Sequence, residues 1–459
     1  MTKGMLTPDE IRAAVADGSI DTVLVVFPDL QGRLMGKRVV GEYFVDEVLP
    51  PGGALEACNY LLALDVDMTP LPGYHYANWE QGYGDFRMLP DLTTLRRIPW
   101  IERTALVMCD LVDEETGEPV EVSPRQILKR QIERAAAKGY LVNIGAELEF
   151  FLFLDSYEEA ADKGYSNLVP HSNVIEDYHI LQTTRDEYLI REIRNSMNDA
   201  GIVVEFSKGE AGKGQHEINL RYADALTMAD RHAIYKNGAK EIAALAGRSI
   251  TFMAKYSMEE VGSSCHLHSS VWTADGEQSL MWDADAPDHM SDTMRGWLGG
   301  IIATGAEFAW LFAPYVNSYK RYQPESWAPT ALAWGRDNRT CGYRLVGHGS
   351  AFRMESRVPG ADVNPYLAYA ATIAAGLHGI EQGIDPGAAF SGNAYADESL
   401  ARVPHTLVDA ITALESSDAA RTAFGDEVHH HLVNTARQEW NSFNRVVTDW
   451  ERRRNFEQI

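Results

Sequence analysis

Gly145-Ala146-Glu147-Leu148-Glu149-Phe150 is the stretch of sequence that decides the fold, because it combines strand character with two carboxylates. It lies in a strand predicted over residues 141–154. On an extended backbone, residues i and i+2 point to one face, roughly 7 Å apart. A solvated edge strand is the simpler interpretation, but the continuation Phe150-Phe151-Leu152-Phe153 is too apolar for one. Two carboxylates on a half-buried strand repel each other unless a cation lies between them.

A second pair with the same spacing is His266-Leu267-His268. A lone histidine is usually structural, but two imidazoles on one strand face near several acids are better evidence of a metal site. Glu210 and Glu217 bracket a glycine-rich segment, yet the chain has no Gly-x-x-x-x-Gly-Lys-Ser/Thr phosphate loop. Oxygen donors outnumber nitrogen donors in this set, which favours Mg2+ or Mn2+ over zinc.

Opposite charges alternate along Arg353-Met354-Glu355-Ser356-Arg357. A ladder of cross-strand ion pairs would give the same pattern. The functional interpretation assigns Glu355 to a metal and the guanidinium groups to phosphates or carboxylates. The preceding glycine-rich segment carries three more arginines, Arg321, Arg339 and Arg344. Arginines clustered in a loop favour anion binding over packing, so the sequence predicts metal-assisted phosphoryl chemistry.

The charge balance excludes some classes of function. The 459-residue chain has 41 basic and 66 acidic residues, a net charge of −25. This argues against a nucleic-acid binder and against attachment to anionic lipid. Four scattered cysteines and the lack of an apolar signal segment indicate a soluble, cytoplasmic protein. The run His429-His430-His431 falls in a predicted helix, where consecutive side chains diverge, and is assigned no role.

The order of predicted elements favours an α+β fold in two domains. Most strands lie near hairpin-like turns rather than helical crossovers, which predicts a mainly antiparallel sheet backed by helices. A small domain is predicted over residues 1–106, with a hairpin around Asp29-Leu30-Gln31-Gly32, and a larger one over residues 107–459. The main predicted helices are 186–200, 223–246, 292–313 and 365–382.

Together these motifs resemble the glutamine synthetases of type I and their relatives, the γ-glutamyl-amine ligases. The resemblance covers most of the chain, through segments that match the family in order and spacing: 145–149, 210–217, 262–268, 317–321, 328–329, 339–344, 353–357 and 364–366. It implies a small β-grasp-like N-terminal domain and a larger catalytic domain. It also implies active sites formed between adjacent subunits of a homo-oligomer, two stacked hexameric rings.

The resemblance further implies roles for individual residues. The implied metal ligands are Glu149, Glu210 and Glu217 for a first Mg2+ or Mn2+ ion, and Glu147, His266 and Glu355 for a second. The implied ATP-site residues are Glu205, His268, Ser270, Arg344 and Arg353. The implied glutamate-binding residues are Gly262, Arg321 and Arg357, and Arg339 would face the transferred phosphoryl group. The implied reaction joins the γ-carboxylate of L-glutamate to an amine through a γ-glutamyl phosphate, with ATP converted to ADP and phosphate.

Two departures from the family bear on the amine. Glutamine synthetases carry a flap glutamate directly before Ala-Pro, which takes a proton from ammonium, and here that position is Trp327. An ammonium-binding aspartate of the N-terminal domain has no counterpart near Cys58-Asn59-Tyr60-Leu61. An aromatic wall suits the alkyl part of a primary amine and adds cation–π attraction. A small monoamine such as ethanolamine is therefore favoured.

Other functions stay open at this point. Glu325 is a candidate proton acceptor, which keeps an authentic glutamine synthetase using ammonia as the alternative. A γ-glutamylpolyamine synthetase would need a second acidic subsite, which the sequence does not identify. A non-catalytic homologue is a remote alternative, since all the implied metal ligands are present. The family's adenylylated tyrosine falls near Tyr395 in a degraded motif, so that control is expected to be absent.

Overall fold

Two sheets organise the chain. A computed structural model describes residues 3–459, so Met1 and Thr2, at the start of the predicted first domain, lie outside the described residues. The N-terminal sheet is built from β1 Thr22–Pro28, β2 Leu34–Val40, β3 Leu55–Cys58, β4 Asp85–Pro90, β5 Arg96–Ile98 and β6 Thr104–Asp113. The strand order is β2-β1-β6-β4-β3, and β5 also pairs with β6. The β1–β6 pair is parallel and the other pairs are antiparallel.

The predicted domain boundary at residue 106 falls inside β6. The first half of this strand pairs with β1, and its second half pairs with β4. The N-terminal sheet therefore continues to Asp113, past the end of the predicted first domain. A boundary between Asp113 and Pro124 would keep the sheet intact, and we propose that the chain divides into two domains there.

The hairpin predicted near the N-terminus is confirmed as β1 and β2. The Asp29 carboxylate accepts hydrogen bonds from the backbone N–H groups of Gln31, at 3.0 Å, and Arg33, at 2.8 Å. Gly32 takes a φ of +76°, a conformation that costs glycine little. An aspartate that bonds the backbone of the following residues is typical of a tight turn, which explains why the sequence signal succeeds here.

The second sheet carries the site. Its strands are β7 Tyr140–Phe153, β8 Val204–Gly209, β9 Gln215–Leu220, β10 Ala223–Asp224, β11 Ser249–Thr251, β12 Cys265–Thr273, β13 Trp334–Arg336, β14 Tyr343–Val346 and β15 Arg353–Ser356. Their order is β13-β14-β15-β12-β7-β9-β8, and β10 and β11 also pair with β7. The β13–β14 pair is parallel and the rest are antiparallel. The predicted mainly antiparallel sheet is confirmed.

Helices cover the sheets and form the C-terminal part of the chain. They are α1 Pro8–Ala16, α2 Gly41–Tyr43, α3 Pro124–Ala136, α4 Tyr157–Asp162, α5 Ile180–Thr183, α6 Glu187–Asp199, α7 Ala225–Leu245, α8 Asp292–Ala303, α9 Ala309–Phe312, α10 Pro365–Gln382, α11 Leu407–Glu415, α12 Asp418–Phe424, α13 Asp426–Phe443 and α14 Asp449–Asn455. Among residues 3–459, no helix is long and apolar enough to cross a membrane.

The helix predicted over 292–313 is wrong in its second half. Helix α8 ends at Ala303, and a separate short helix, α9, follows. The Thr304 hydroxyl donates to the carbonyl of Gly300 at 2.9 Å, and a side chain at Gly305 would meet the Tyr343 hydroxyl at 2.8 Å. A threonine that bonds the preceding turn, followed by a tightly packed glycine, favours a break in the helix. The other predicted helices are found, and α10 matches its prediction at both ends.

A buried arginine joins the N-terminal sheet to helix α7. Arg125 is 1% exposed and donates to Asp91 at 2.7 Å, to Asp230 at 2.9 Å, and also to Asp110. We call these four residues the Arg125 cluster. Burial disfavours the charge, but Asp230 and Asp110 outweigh it and raise the pKa of Arg125. The guanidinium therefore stays charged and fixes the N-terminal sheet against the catalytic part of the chain.

Candidate active site

The strand register places the predicted acids and histidines side by side. His266 pairs with Glu147 across β12 and β7, and Glu149 pairs with Glu217 across β7 and β9. On the other side of β12, His268 pairs with Glu355. Side chains at paired positions of neighbouring strands share one face of the sheet. The expectation that the two i, i+2 pairs gather on one face is confirmed.

The first group of carboxylates is Glu149, Glu210 and Glu217, which we call the Glu149 cluster. One oxygen from each lies within 4.8 Å of the others. Ser264 positions Glu149 through its backbone N–H at 2.8 Å and its hydroxyl at 2.6 Å. Lys208 pairs with Glu210, but among residues 3–459 no lysine or arginine pairs with Glu149 or Glu217.

The crowding of negative charge in the Glu149 cluster raises the pKa values of two of its carboxylates. Burial and the nearby Glu210 raise the pKa of Glu149 to about 7. Burial, followed by the charges of Glu147 and Glu210, raises the pKa of Glu217 to about 10. Three buried carboxylates with one lysine leave an excess of negative charge, and a divalent cation with oxygen ligands would remove it.

The second group surrounds Glu147. Its carboxylate lies 3.3 Å from His266 Nδ1 and 2.9 Å from His268 Nε2. Glu355 lies 3.8 Å from His266 Nδ1. Donor atoms of Glu147, Glu217 and His266 lie within 4.8 Å of one another, and so do donor atoms of Glu147, His268 and Glu355. The structure thus brings His268, an implied nucleotide residue, as close to Glu147 as the implied ligand His266.

Two arginines bind the carboxylate of Glu355. Its Oε2 accepts from Arg344 at 2.8 Å, and its Oε1 accepts from Arg357 at 2.7 Å. Burial would raise the pKa of Glu355, but His266, His268 and Arg357 outweigh it and lower the pKa to about 2. In the same way, burial is outweighed by hydrogen bonds from His266 and His268, which hold the pKa of Glu147 well below its usual range. Both carboxylates are therefore ionised, and Glu355 would have to share its oxygens between these guanidinium groups and a metal ion.

The remaining implied arginines are in different environments. Arg353 donates from Nε to His268 Nδ1 at 3.0 Å, which orients that ring. Arg321 is buried and donates to the backbone carbonyls of Val358, at 2.7 Å, and Arg357, at 2.9 Å. Arg339 is exposed on the loop between β13 and β14. Arg321 therefore stabilises the segment after β15 as well as facing the site.

Two cavities meet at this face of the sheet. The larger, about 750 Å³, is lined by the implied metal and glutamate residues Glu147, Glu149, Glu210, Glu217, Gly262, His266, Arg321 and Arg357, and by Trp327, Arg339 and Arg344. The smaller, about 380 Å³, is lined by the implied ATP-site residues Glu205, His268, Ser270 and Arg353, and again by Glu147. Glu147 therefore faces both chambers, whereas Glu325 and Glu355 line neither.

Comparison with known proteins decides the family. A family model described as "Glutamine synthetase, catalytic domain" matches residues 121–455. A γ-glutamylethanolamide synthetase of Streptomyces coelicolor is 52% identical over 98% of this chain and 96% of its own length. The chain belongs to the glutamine synthetase family. A glutamate–isopropylamine ligase of a Pseudomonas species is 37% identical over 96% of each chain.

Solved structures of the glutamine synthetase family share the fold. A structure titled as a GmaS complex with ADP has a TM-score of 0.84 and 30% identity, and the match covers 97% of this chain and 99% of the other. An apo GmaS structure gives a TM-score of 0.83 with the same coverage. The resemblance inferred from the motifs and the glutamine synthetase-like α+β fold are confirmed. The individual residue roles remain proposals.

The segment that replaces the family's flap glutamate lies at the larger cavity. Trp327 is 63% exposed and lines that cavity, with a φ of +64°. Glu325 is exposed and lies outside both cavities. The Tyr395 hydroxyl donates to the carbonyl of Ala328 at 3.0 Å, so this tyrosine holds the end of the flap.

Several residues of the site were missed from the sequence. Lys208 pairs with Glu210, and Ser264 and Gln215 both bond Glu149. Tyr178 and Ile180, which are 70% and 78% exposed, line the larger cavity. Ser264 precedes the predicted strand by one residue and Gln215 follows the glycine-rich loop. Their positions beside these motifs could therefore have indicated that they belong to the site. Tyr178 and Ile180 lie in the long segment between β7 and α6, and no sequence pattern there indicated a role for them.

Proposed function

We propose that this protein is an ATP-dependent ligase that joins the γ-carboxylate of L-glutamate to a primary amine and releases ADP and phosphate. Ethanolamine is the favoured amine. The observation that carries the proposal is the sheet face on which carboxylates meet two histidines between two cavities, with Trp327 at the larger one. The relatives named for ethanolamide and isopropylamide formation support an amine rather than ammonia.

The donor set fits divalent metal ions. Glu149, Glu210 and Glu217 would hold a first ion. Glu147 and Glu355, which lie 3.3 and 3.8 Å from His266 Nδ1, would hold a second together with that imidazole. The excess of carboxylate oxygens favours Mg2+ or Mn2+. When bound, such ions neutralise the phosphates of ATP and make the terminal phosphorus a better electrophile. The raised pKa values of Glu149 and Glu217 support this assignment, since a cation removes the repulsion that raises them.

The two cavities suit the two larger substrates. The smaller one would take ATP, with Glu205, His268, Ser270 and Arg353 around the nucleotide and Arg344 reaching it from the larger side. The larger one would take glutamate, beside Gly262, Arg321 and Arg357. A side chain at position 262 would come within 2.6 Å of the Arg321 side chain, so glycine is required for this approach. Glu147, which faces both cavities, lies where the phosphoryl group would pass.

The chemistry follows from charge neutralisation and exclusion of water. Arg339 and Arg344 line the larger cavity, where they would stabilise negative charge on the transferred phosphoryl group. The γ-glutamyl phosphate formed there is an activated acyl donor, which an amine nitrogen attacks to release phosphate. Trp327 and Tyr178, both at the cavity, would cover the intermediate and contact the alkyl part of the amine.

A panel of amines tests the proposal. ADP release is measured with glutamate and ATP against ethanolamine, isopropylamine, a polyamine and ammonia. We expect the highest kcat/KM with a small primary amine. Ammonia giving the highest value would make the protein a glutamine synthetase, a polyamine giving it would make the protein a γ-glutamylpolyamine synthetase, and no turnover with any amine would favour a non-catalytic homologue.

We also infer a homo-oligomer, two stacked hexameric rings with active sites between subunits, in the cytoplasm. Large apolar side chains are exposed before, in and directly after α14, which supports burial against another subunit; they are Val446, Val447, Trp450 and Phe456. The four free cysteines fit a reducing compartment. Light scattering of the purified protein measures the assembly, and a monomer at micromolar concentration would contradict the ring proposal.

A further inference from the structure

A second set of histidines and carboxylates lies outside the candidate active site. His171, Glu176 and Asp186 come from the segment between β7 and α6, and His216 comes from β9. We call these four residues the His216 cluster. Glu176 and Asp186 are 0% exposed and His216 is 1% exposed. His216 is adjacent to Glu217 on its strand, so its side chain points to the opposite face of the sheet from the Glu149 cluster.

Three of the four residues of the His216 cluster bring donor atoms close together. His216 Nε2 lies 2.7 Å from Asp186 Oδ2 and 3.4 Å from Glu176 Oε2. One donor atom each from Glu176, Asp186 and His216 lies within 4.8 Å of the others. His171 Nδ1 contacts the other oxygen of Asp186. Glu176, Asp186 and His216 therefore surround one small volume, and His171 lies next to it, against Asp186.

One carboxylate of the His216 cluster, that of Glu176, lacks a hydrogen-bond partner. Neither oxygen of Glu176 has a hydrogen-bond partner among the described residues, although the side chain is fully buried. No lysine or arginine within residues 3–459 pairs with Glu176 or Asp186. A hydrogen-bonded ion cluster is the simpler interpretation, but it leaves Glu176 unsatisfied. Buried carboxylates are normally paired, hydrogen-bonded or bound to a metal.

We propose that the His216 cluster is a closed, structural zinc site. Glu176, Asp186 and His216 would supply three positions of a tetrahedral Zn2+ site. His171, which now contacts Asp186, would supply the fourth once zinc replaces that contact, so that none is left open for a substrate. The two carboxylates carry a combined charge that one divalent ion neutralises. The Glu149 cluster differs, since its three oxygen donors suit a hard cation instead.

The proposed zinc site would fix one wall of the larger cavity. Asp177 and Tyr178, which line that cavity, directly follow Glu176, and Thr183 lies just before Asp186. The zinc ion would therefore link the irregular wall to β9, one residue from Glu217. This role is independent of which amine the enzyme uses and of the proposed ligase activity.

Metal analysis of two isosteric variants tests the zinc site. The full-length protein is expressed with zinc, dialysed against EDTA and excess Mg2+, and analysed by plasma mass spectrometry. We expect about one zinc ion per chain in the wild type, about one in Glu149→Gln, and less than about a tenth in Glu176→Gln. Wild-type protein without zinc, or equal zinc in both variants, would overturn the proposal.

Cobalt substitution gives a readout that does not depend on the fold of a variant. The wild-type protein is expressed with Co2+ and dialysed in the same way, and its visible spectrum is recorded. A tetrahedral site gives intense d–d bands, which we expect to stay unchanged when Mg2+ and ATP are added, because the site is closed. Weak bands typical of six-coordinate cobalt, or bands that ATP changes, would overturn the proposal even if Glu176→Gln failed to fold.

Discussion

The Arg125 cluster and the Glu149 cluster are two groups of three carboxylates with opposite electrostatics. In the first, one guanidinium donates to Asp91, Asp110 and Asp230. In the second, Lys208 reaches Glu210, and burial leaves Glu149 and Glu217 with raised pKa values. Three carboxylates that all bond one guanidinium stabilise the fold, whereas Glu149 and Glu217, which have no lysine or arginine partner among residues 3–459, destabilise it until a ligand supplies the charge.

Glu149→Gln is expected to have the largest effect on activity. The change removes one oxygen charge from the Glu149 cluster without changing its shape, so we expect ADP release to fall by at least about a thousandfold. The metal-free variant is expected to melt above the metal-free wild type, because like charges are removed. Glu277→Gln, at an exposed position, is the control. Turnover within a factor of about three of wild type would contradict a metal role for Glu149.

Arg125→Met is expected to have the largest effect on stability. Removing the guanidinium leaves three carboxylates without their partner, and we expect the free energy of unfolding to fall by about 3–5 kcal/mol. Urea unfolding followed by circular dichroism measures this. Arg130→Met, on the same helix in an exposed pair with Glu121 at 3.2 Å, is the control and should cost less than about 1 kcal/mol. Equal decreases in the free energy of unfolding for the two variants would show that the Arg125 cluster contributes no more to stability than a surface ion pair does.

The pH dependence of stability also distinguishes the Glu149 cluster from the Arg125 cluster. The pKa of Glu149 is raised from 4.5 to about 7, so the folded protein keeps a proton that the unfolded chain releases. Its destabilising contribution is absent below pH 4.5, grows up to about pH 7 and is then constant, reaching about 3 kcal/mol. We therefore expect the Tm of Glu149→Gln minus that of the wild type to increase between pH 4.5 and 7 without metal.

Adding Mg2+ provides the control for this pH effect. A bound cation favours the ionised carboxylate, so the Tm difference between Glu149→Gln and wild type should shrink or reverse with saturating Mg2+. A difference that is independent of both pH and Mg2+ would contradict the assignment of the raised pKa to crowded charge.

Trp327→Ala is expected to have the smallest effect. Loss of an aromatic face should raise KM for ethanolamine by about tenfold and change KM for ammonia much less. Initial rates of ADP release with each amine measure this ratio. Tyr165→Ala, at another exposed aromatic residue, is the control. Equal changes for both amines would show that Trp327 does not select the amine.

The parts of the site that could be predicted are those with strand periodicity. The pairs Glu147 with Glu149 and His266 with His268 share a face because alternation is a local property of a strand. The family resemblance and the ligase class are confirmed for the same reason, since these motifs are specific in order and spacing.

The rest depends on contacts distant in sequence. Arg321 bonds the carbonyls of Val358 and Arg357, which no local pattern indicates. The His216 cluster joins a loop to a strand and was not predicted, because its members follow no helical or strand period. The break after Ala303 was missed because the close packing of Gly305 against Tyr343 is a tertiary contact.

Glu147 forms part of the wall of both chambers and is hydrogen-bonded to both His266 and His268. Any molecule that draws this carboxylate toward one chamber alters the donors presented to the other. Nucleotide and amino acid would then bind cooperatively, and by thermodynamic reciprocity each would change the other's affinity by the same factor.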